Sequence, residues 1–150
     1  MSDVPESLSD FVIGLNHVAI VVPSIEEARA VYVGVLGMTP SEVEHVAEQR
    51  VNVLVLYAGA QRIELVEPAS VDSPVTRFLE KRGGGLHHLA YDVRDLEAAL
   101  AALKKRGLRL IDEAPRPGAH GTRIAFVHPS ATGGVLTELV ETPEHVEGRE

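Results

Sequence analysis

No cysteine occurs in the 150 residues, so disulfides, thiolate metal ligands and cysteine nucleophiles are excluded, and a reducing compartment is compatible. Tryptophan is absent and aromatic residues make up 4%, which argues against stacking platforms for nucleic-acid bases. No apolar run reaches the roughly 18 residues of a membrane span. The chain holds 14 Lys and Arg against 22 Asp and Glu, for a net charge of −8. It has no basic block suited to tracking phosphates. The triplet Lys104-Lys105-Arg106 falls at an expected helix end, where cations suit the dipole. The opening MSDVPESLSD has neither the basic segment nor the apolar core of a signal peptide. These absences lead to the expectation of a cytoplasmic protein with no nucleic-acid and no membrane partner. At 45% hydrophobic, the chain can bury one compact core.

What the chain does have is a repeat. Leu15-Asn16-His17-Val18-Ala19 matches Leu86-His87-His88-Leu89-Ala90 at an offset of 71 (17 to 88), and Val22/Val93, Glu26/Glu97, Ala28/Ala99 and Ala30/Ala101 continue it without a gap. Ile63-Glu64-Leu65-Val66-Glu67 matches Thr137-Glu138-Leu139-Val140-Glu141 at an offset of 74 (64 to 138). The three extra residues fit a hairpin loop. So long a period suits two copies of one supersecondary unit better than a solenoid.

The first copy reads as a strand over His17–Val22, stopped by Pro23. Ser24 and Glu27 have capping-box form and open a helix running to about Leu36, with Gly37 closing it. A short strand is expected near Pro40–Val46. A hairpin over 51–57 and 61–66 turns at Ala58-Gly59-Ala60. Asp72-Ser73-Pro74 opens a linker helix that ends at Gly83-Gly84-Gly85. The second copy gives a strand over His88–Val93, a helix capped by Asp95, and strands over 109–112, 122–128 and 135–141. The fold class is therefore α+β, with two tandem βαβββ modules. The expected layout is a polar tail over 1–12, one domain over 13–142 and a polar tail over 143–150. Within the domain, module 1 spans about 13–68, the linker helix about 72–83 and module 2 about 86–142.

The repeat sets His17 and His88 at the opening of each module's first strand, and Glu64 and Glu138 in each last strand. A strand histidine taken singly is more often a hydrogen-bonded core residue than a ligand. Glu64 and Glu138, however, sit in largely apolar runs, where an unpaired carboxylate is costly. Two imidazoles and two carboxylates at repeat-equivalent places point to one divalent metal with positions open to substrate. His87 and His88 face opposite sides of a strand. His88 is the equivalent of His17 and the expected ligand, which leaves His87 a supporting role.

The stretches LNHVAIVVPSIEEA (15–28), AEQRV (47–51), IELVEP (63–68), DSPVTRFLEKRGGGLHHLAYDV (72–93), PRPGAHG (115–121) and FVHPSATGGVLTELVE (126–141) resemble the vicinal oxygen chelate superfamily, and within it the methylmalonyl-CoA epimerases. The resemblance implies a U-shaped mixed sheet around the metal, with His17, Glu64, His88 and Glu138 as ligands. It also implies a homodimer, an acyl-CoA substrate and one divalent ion per chain, cobalt before Zn, Ni, Mn or Mg. Some relatives carry a further catalytic Glu on the second strand of the module, where this chain has Val53.

Epimerisation at C2 of a malonyl thioester breaks a C–H bond and remakes it on the other face. Glu138 is the expected general base and Glu48 its expected partner. His120 and Gln49 are the expected substrate contacts. Three other readings compete: glyoxalase-type chemistry on a glutathione hemithioacetal, an iron dioxygenase, which would use two histidines and one carboxylate, and a metal-free binding or resistance protein.

Overall fold

A computed structural model describes residues 11–143. The expected tails lie outside it except for Phe11, Val12 and Pro143, and so does His145. The described residues form nine strands and three α-helices, and the paired strands run both parallel and antiparallel. The α+β class is as expected. The chain divides into two compact units, one of residues 17–88 and the other of residues 11–16 with 89–143.

In the unit of residues 17–88, β1 (Val12–Val21) carries the chain in from Asn16. It starts five residues earlier than expected, because Val12, Ile13 and Leu15 extend its apolar character. Helix α1 (Ile25–Tyr32) follows, with Ser24 Oγ accepting from the Glu27 N–H as the capping box requires. The helix stops four residues short of Leu36 in a wide turn, where the Leu36 N–H donates to Val31 O and Gly37 takes φ 79°. The strand expected at 40–46 is split into β2 (Thr39–Pro40) and β3 (Glu44–Val46). β4 (Val51–Ala58) and β5 (Gln61–Pro68) make the expected hairpin with Gly59-Ala60 at its tip. Strand order here is β2-β4-β5-β1, with β3 on β4 and with β1 and β5 parallel. Helix α2 (Pro74–Arg82) is capped by Ser73, and Gly83, Gly84 and Gly85 all take positive φ as the chain reverses into β6 (Gly85–Val93).

The other unit repeats the plan. Helix α3 (Leu96–Lys105) is capped by Asp95, and β7 (Arg116–Pro117), β8 (Arg123–Val127) and β9 (Thr137–Glu141) complete the order β6-β9-β8-β7, with β6 and β9 parallel. The strand expected at 109–112 is reduced to one bridge, Leu110 to Val127. Ile111 and Asp112 both donate their N–H to Phe126 O, and the Asp112 carboxylate accepts the Phe126 N–H. A side chain thus takes the place of a ladder bond.

The repeat carries through to packing. Val22, Ile25, Ala28 and Leu65 belong to one core, and Val93, Leu96, Ala99 and Leu139 to the other. Each set lies between the module's helix and its own strands. The second Glu of each module has the same task twice. Glu67 Oε1 accepts from the Ile25 N–H at 2.8 Å, and Glu141 Oε2 from the Leu96 N–H at 2.9 Å. Each carboxylate therefore meets the positive end of its module's helix. Glu141, 3% exposed, also accepts from Arg123 Nε at 3.1 Å. Glu141→Ala should lose about 1–3 kcal/mol of stability by denaturant titration, since it takes the acceptor from the buried Leu96 N–H. A loss under about 0.5 kcal/mol would show that water replaces the carboxylate.

Candidate metal centre

Strand pairing decides which way the repeated glutamates face. Glu64 stands opposite Ala19 on β1, and Glu138 opposite Ala90 on β6. Ala19 and Ala90 each lie two residues past a histidine, so each His shares a sheet face with the Glu of its module. In Glu64-Leu65-Val66-Glu67 and Glu138-Leu139-Val140-Glu141 the odd spacing sends the two carboxylates to opposite faces. The second goes to the helix, as shown above. The first goes to the face that carries His17 or His88.

His17, His88 and Glu138 are buried, 3%, 9% and 6% exposed. His17 Nε2 lies 3.3 Å from His88 Nε2, with the rings edge to face, and 3.3 Å from Glu64 Oε1. His17, Glu64 and His88 belong to the unit of residues 17–88, and Glu138 holds in the other unit the register position that matches Glu64. A half-buried carboxylate against the nitrogen of one buried imidazole that faces a second is suited to a positive charge among them. The donors fit a divalent cation, because oxygen and imidazole nitrogen together suit a borderline or hard ion.

His87 supplies the next layer. Its Nδ1 lies 2.8 Å from His88 Nδ1, and its ring packs edge to face on Phe78 of α2 at 4.9 Å. For His88 Nε2 to present a lone pair to a metal, its Nδ1 must carry the proton and donate to His87. A hydrogen bond in that direction would fix the His88 tautomer and hold its ring in place. The two rings meet even though adjacent residues on a strand were expected to face opposite sides.

The remaining expected site residues are more dispersed. Glu48 and Gln49 lie on a 3-10 turn, Ala47–Gln49, with Glu48 exposed and Gln49 half-buried. Glu48 is therefore not on a strand, and facing arguments that count residues along a strand do not apply to it. Arg50, at φ 54°, reverses the chain just after it, which is what lifts the turn out of the ladder. His120 is exposed on a second 3-10 turn with φ 60° and ψ 35°, a left-handed conformation costly for a residue with a Cβ. Val53 is buried on β4 opposite Glu44. His45 and His128 have structural partners, Asn52 Oδ1 at 3.0 Å and the Ser130 N–H at 3.0 Å. Sequence reasoning missed the helix-capping work of Glu67 and Glu141. The signal was present in the three-residue spacing after Glu64 and Glu138.

Known proteins share this architecture. A family model described as the glyoxalase/bleomycin resistance protein/dioxygenase superfamily matches residues 16–126. The chain is 43% identical over 126 residues to a mitochondrial methylmalonyl-CoA epimerase of Mus musculus, covering 83% of this chain and 71% of that one. The crystal structure of methylmalonyl-CoA epimerase from Mycobacterium tuberculosis matches with a TM-score of 0.85 and 37% identity, over 97% of this chain and 96% of that one. A methylmalonyl-CoA epimerase in complex with methylmalonyl-CoA and NH4+ matches with a TM-score of 0.82 and 33% identity, over 88% and 96%. The family match spans most of the chain and takes in three of the four repeated His and Glu residues, so the chain belongs to the glyoxalase/bleomycin resistance protein/dioxygenase superfamily.

Proposed function

We propose that this protein interconverts the (2R) and (2S) epimers of methylmalonyl-CoA by moving the C2 proton. The reading is carried by the His and Glu pairs in matched register, in a chain whose relatives are named for that activity. His17, Glu64, His88 and Glu138 hold one divalent ion, for which cobalt is the first choice among Co, Zn, Ni, Mn and Mg. When bound, the ion supplies Lewis acidity that stabilises negative charge on the thioester oxygen.

The protein's own groups do the rest. Glu138 takes the C2 proton as general base, and the C–H electron pair moves toward the thioester carbonyl. His87 keeps His88 in its ligating tautomer. Burial of the histidines and of Glu138 keeps bulk water from quenching charge at the reacting carbon. His120 and Gln49 are the proposed contacts to the acyl-CoA. The strained backbone at His120 supports such a role, since strain of this kind gathers at ligand clamps. A second carboxylate must serve the other face of C2. Glu48, expected from the sequence, stands on the exposed turn described above.

We also read residues 13–142 as one domain of a cytoplasmic homodimer. No helix among the described residues is long and apolar enough to cross a membrane. Val12, Ile13 and Leu15 on β1 and Leu86 on β6 leave apolar surface exposed, which supports self-association. A sedimentation mass near 16.1 kDa rather than twice that would refute the dimer.

The function is tested by adding one epimer to the metal-loaded protein in deuterated water. Appearance of the other epimer, with deuterium at C2, is the expected result. Turnover of a glutathione hemithioacetal with no change in methylmalonyl-CoA would assign the protein to the glyoxalase branch instead.

A further inference from the structure

Inverting C2 with fixed side chains requires one group that removes a proton from one face and another that delivers a proton to the opposite face. Register within residues 17–88 identifies the groups available. Glu64 is paired with Ala19 on one side and Val55 on the other, so these three and His17 share one sheet face. Along β4 that face continues as Val53 and Val51, neither of which can carry a proton. One strand further, Val53 is opposite Glu44 and Val51 is opposite the buried Val46. Directly paired residues project to the same side, so Glu44 lies on the His17–Glu64 face.

The opposite face confirms this assignment independently. His45, next to Glu44, joins Asn52, which donates to Glu67 Oε2, whose Oε1 accepts from the first turn of α1. His45 therefore belongs to the helix side and Glu44 to the other. Among the described strand residues of this unit, Glu44 is the carboxylate that joins Glu64 on the ligand face. It is half-buried, whereas Glu42 and Glu48 are exposed. One intervening strand and one pleat step put its Cα roughly 12 Å from that of Glu64.

We propose that Glu44 is the second proton-transfer residue, serving the face of C2 that Glu138 does not. The inference rests on the epimerase reading. In one direction the Glu138 carboxylate takes the C2 proton and the C–H electron pair enters the enolate. The enolate carbon then takes a proton from the neutral Glu44 carboxyl. Glu138 ends protonated and Glu44 ionised, exchange with water restores both, and the other epimer reacts by the reverse route.

Each epimer is incubated separately in deuterated water with metal-loaded Glu44→Gln protein, and exchange at C2 is followed alongside epimerisation. The expected result is asymmetric. One epimer keeps exchanging with retention through Glu138, while exchange of the other and epimerisation in both directions fall about a hundredfold or more. Metal content stays at the wild-type level. Glu44→Asp, which keeps the carboxyl but draws it back, should show a milder form of the same asymmetry, and it serves if the Gln variant does not fold. Wild-type epimerisation by Glu44→Gln overturns the assignment, as does an equal slowing of both exchanges. So does the asymmetry being found in Glu48→Gln instead. If the wild-type protein exchanges neither epimer, the epimerase reading itself has failed, which is a different outcome from any of these.

Discussion

His88→Ala protein is expected to bind its divalent ion at least about a hundredfold more weakly than wild type, and to lose about a thousandfold or more of its epimerase turnover. His88 has a partner on each nitrogen: His17 at 3.3 Å on Nε2 and His87 at 2.8 Å on Nδ1. Removing the ring takes one imidazole from the proposed ligand set and removes the partner of His87, and a site short of a ligand holds its cation more weakly. His87→Phe makes a useful contrast. It keeps the packing on Phe78 but removes the tautomer-selecting hydrogen bond, so it should weaken metal binding by about 10- to 100-fold. Metal content after dialysis and a competition titration read both effects without reference to turnover. If His88→Ala retains stoichiometric metal at wild-type affinity, the ligand set is wrong.

Glu138→Gln should lower kcat by about a hundredfold to ten-thousandfold, the range for loss of a general base, with the overall fold retained. The amide keeps the size of the side chain and one oxygen for a metal, but it cannot take a proton. With Glu138 proposed as both ligand and base, metal affinity is expected to fall as well, and the two effects are separated by measuring kcat at saturating metal. Glu64→Gln supplies the comparison, since Glu64 is given only a ligand's role. At saturating metal it should regain most of its turnover, while Glu138→Gln should not. Equal recovery of the two variants would take the base assignment away from Glu138.

The matched positions that were legible in the sequence are those the duplication wrote twice. His17 with Glu64 and His88 with Glu138 occupy matched register positions, and the repeat offsets alone single out the four. The helix caps at Ser24, Ser73 and Asp95 were legible because capping is a local interaction. Features that depend on distant partners were not. Arg109–Asp112 has an apolar middle that suits a strand, but the Asp112 carboxylate takes the Phe126 N–H, and Pro115 and Pro117 offer no backbone donors. The end of α1 was misplaced because Val31, Val33 and Val35 continue the apolar pattern while the backbone has already opened into a wide turn. Glu48 lies between the expected strands, but the 3-10 turn that holds it depends on Arg50 adopting a left-handed conformation, which no residue-type rule predicts for arginine. Glu44 escaped notice because its facing follows from pairing with Val53, and the register of a three-residue strand is not written in three residues.

The most direct test of the account is to treat the protein with chelator, then restore one divalent ion at a time, following the C2 proton of methylmalonyl-CoA by NMR in deuterated water. The stripped protein should leave the C2 proton signal unchanged, and a cation bound at one per chain should restore both its loss and the interconversion of epimers. Full exchange and interconversion by protein shown to be metal-free would contradict the claim that the duplicated histidines and glutamates exist to hold a cation.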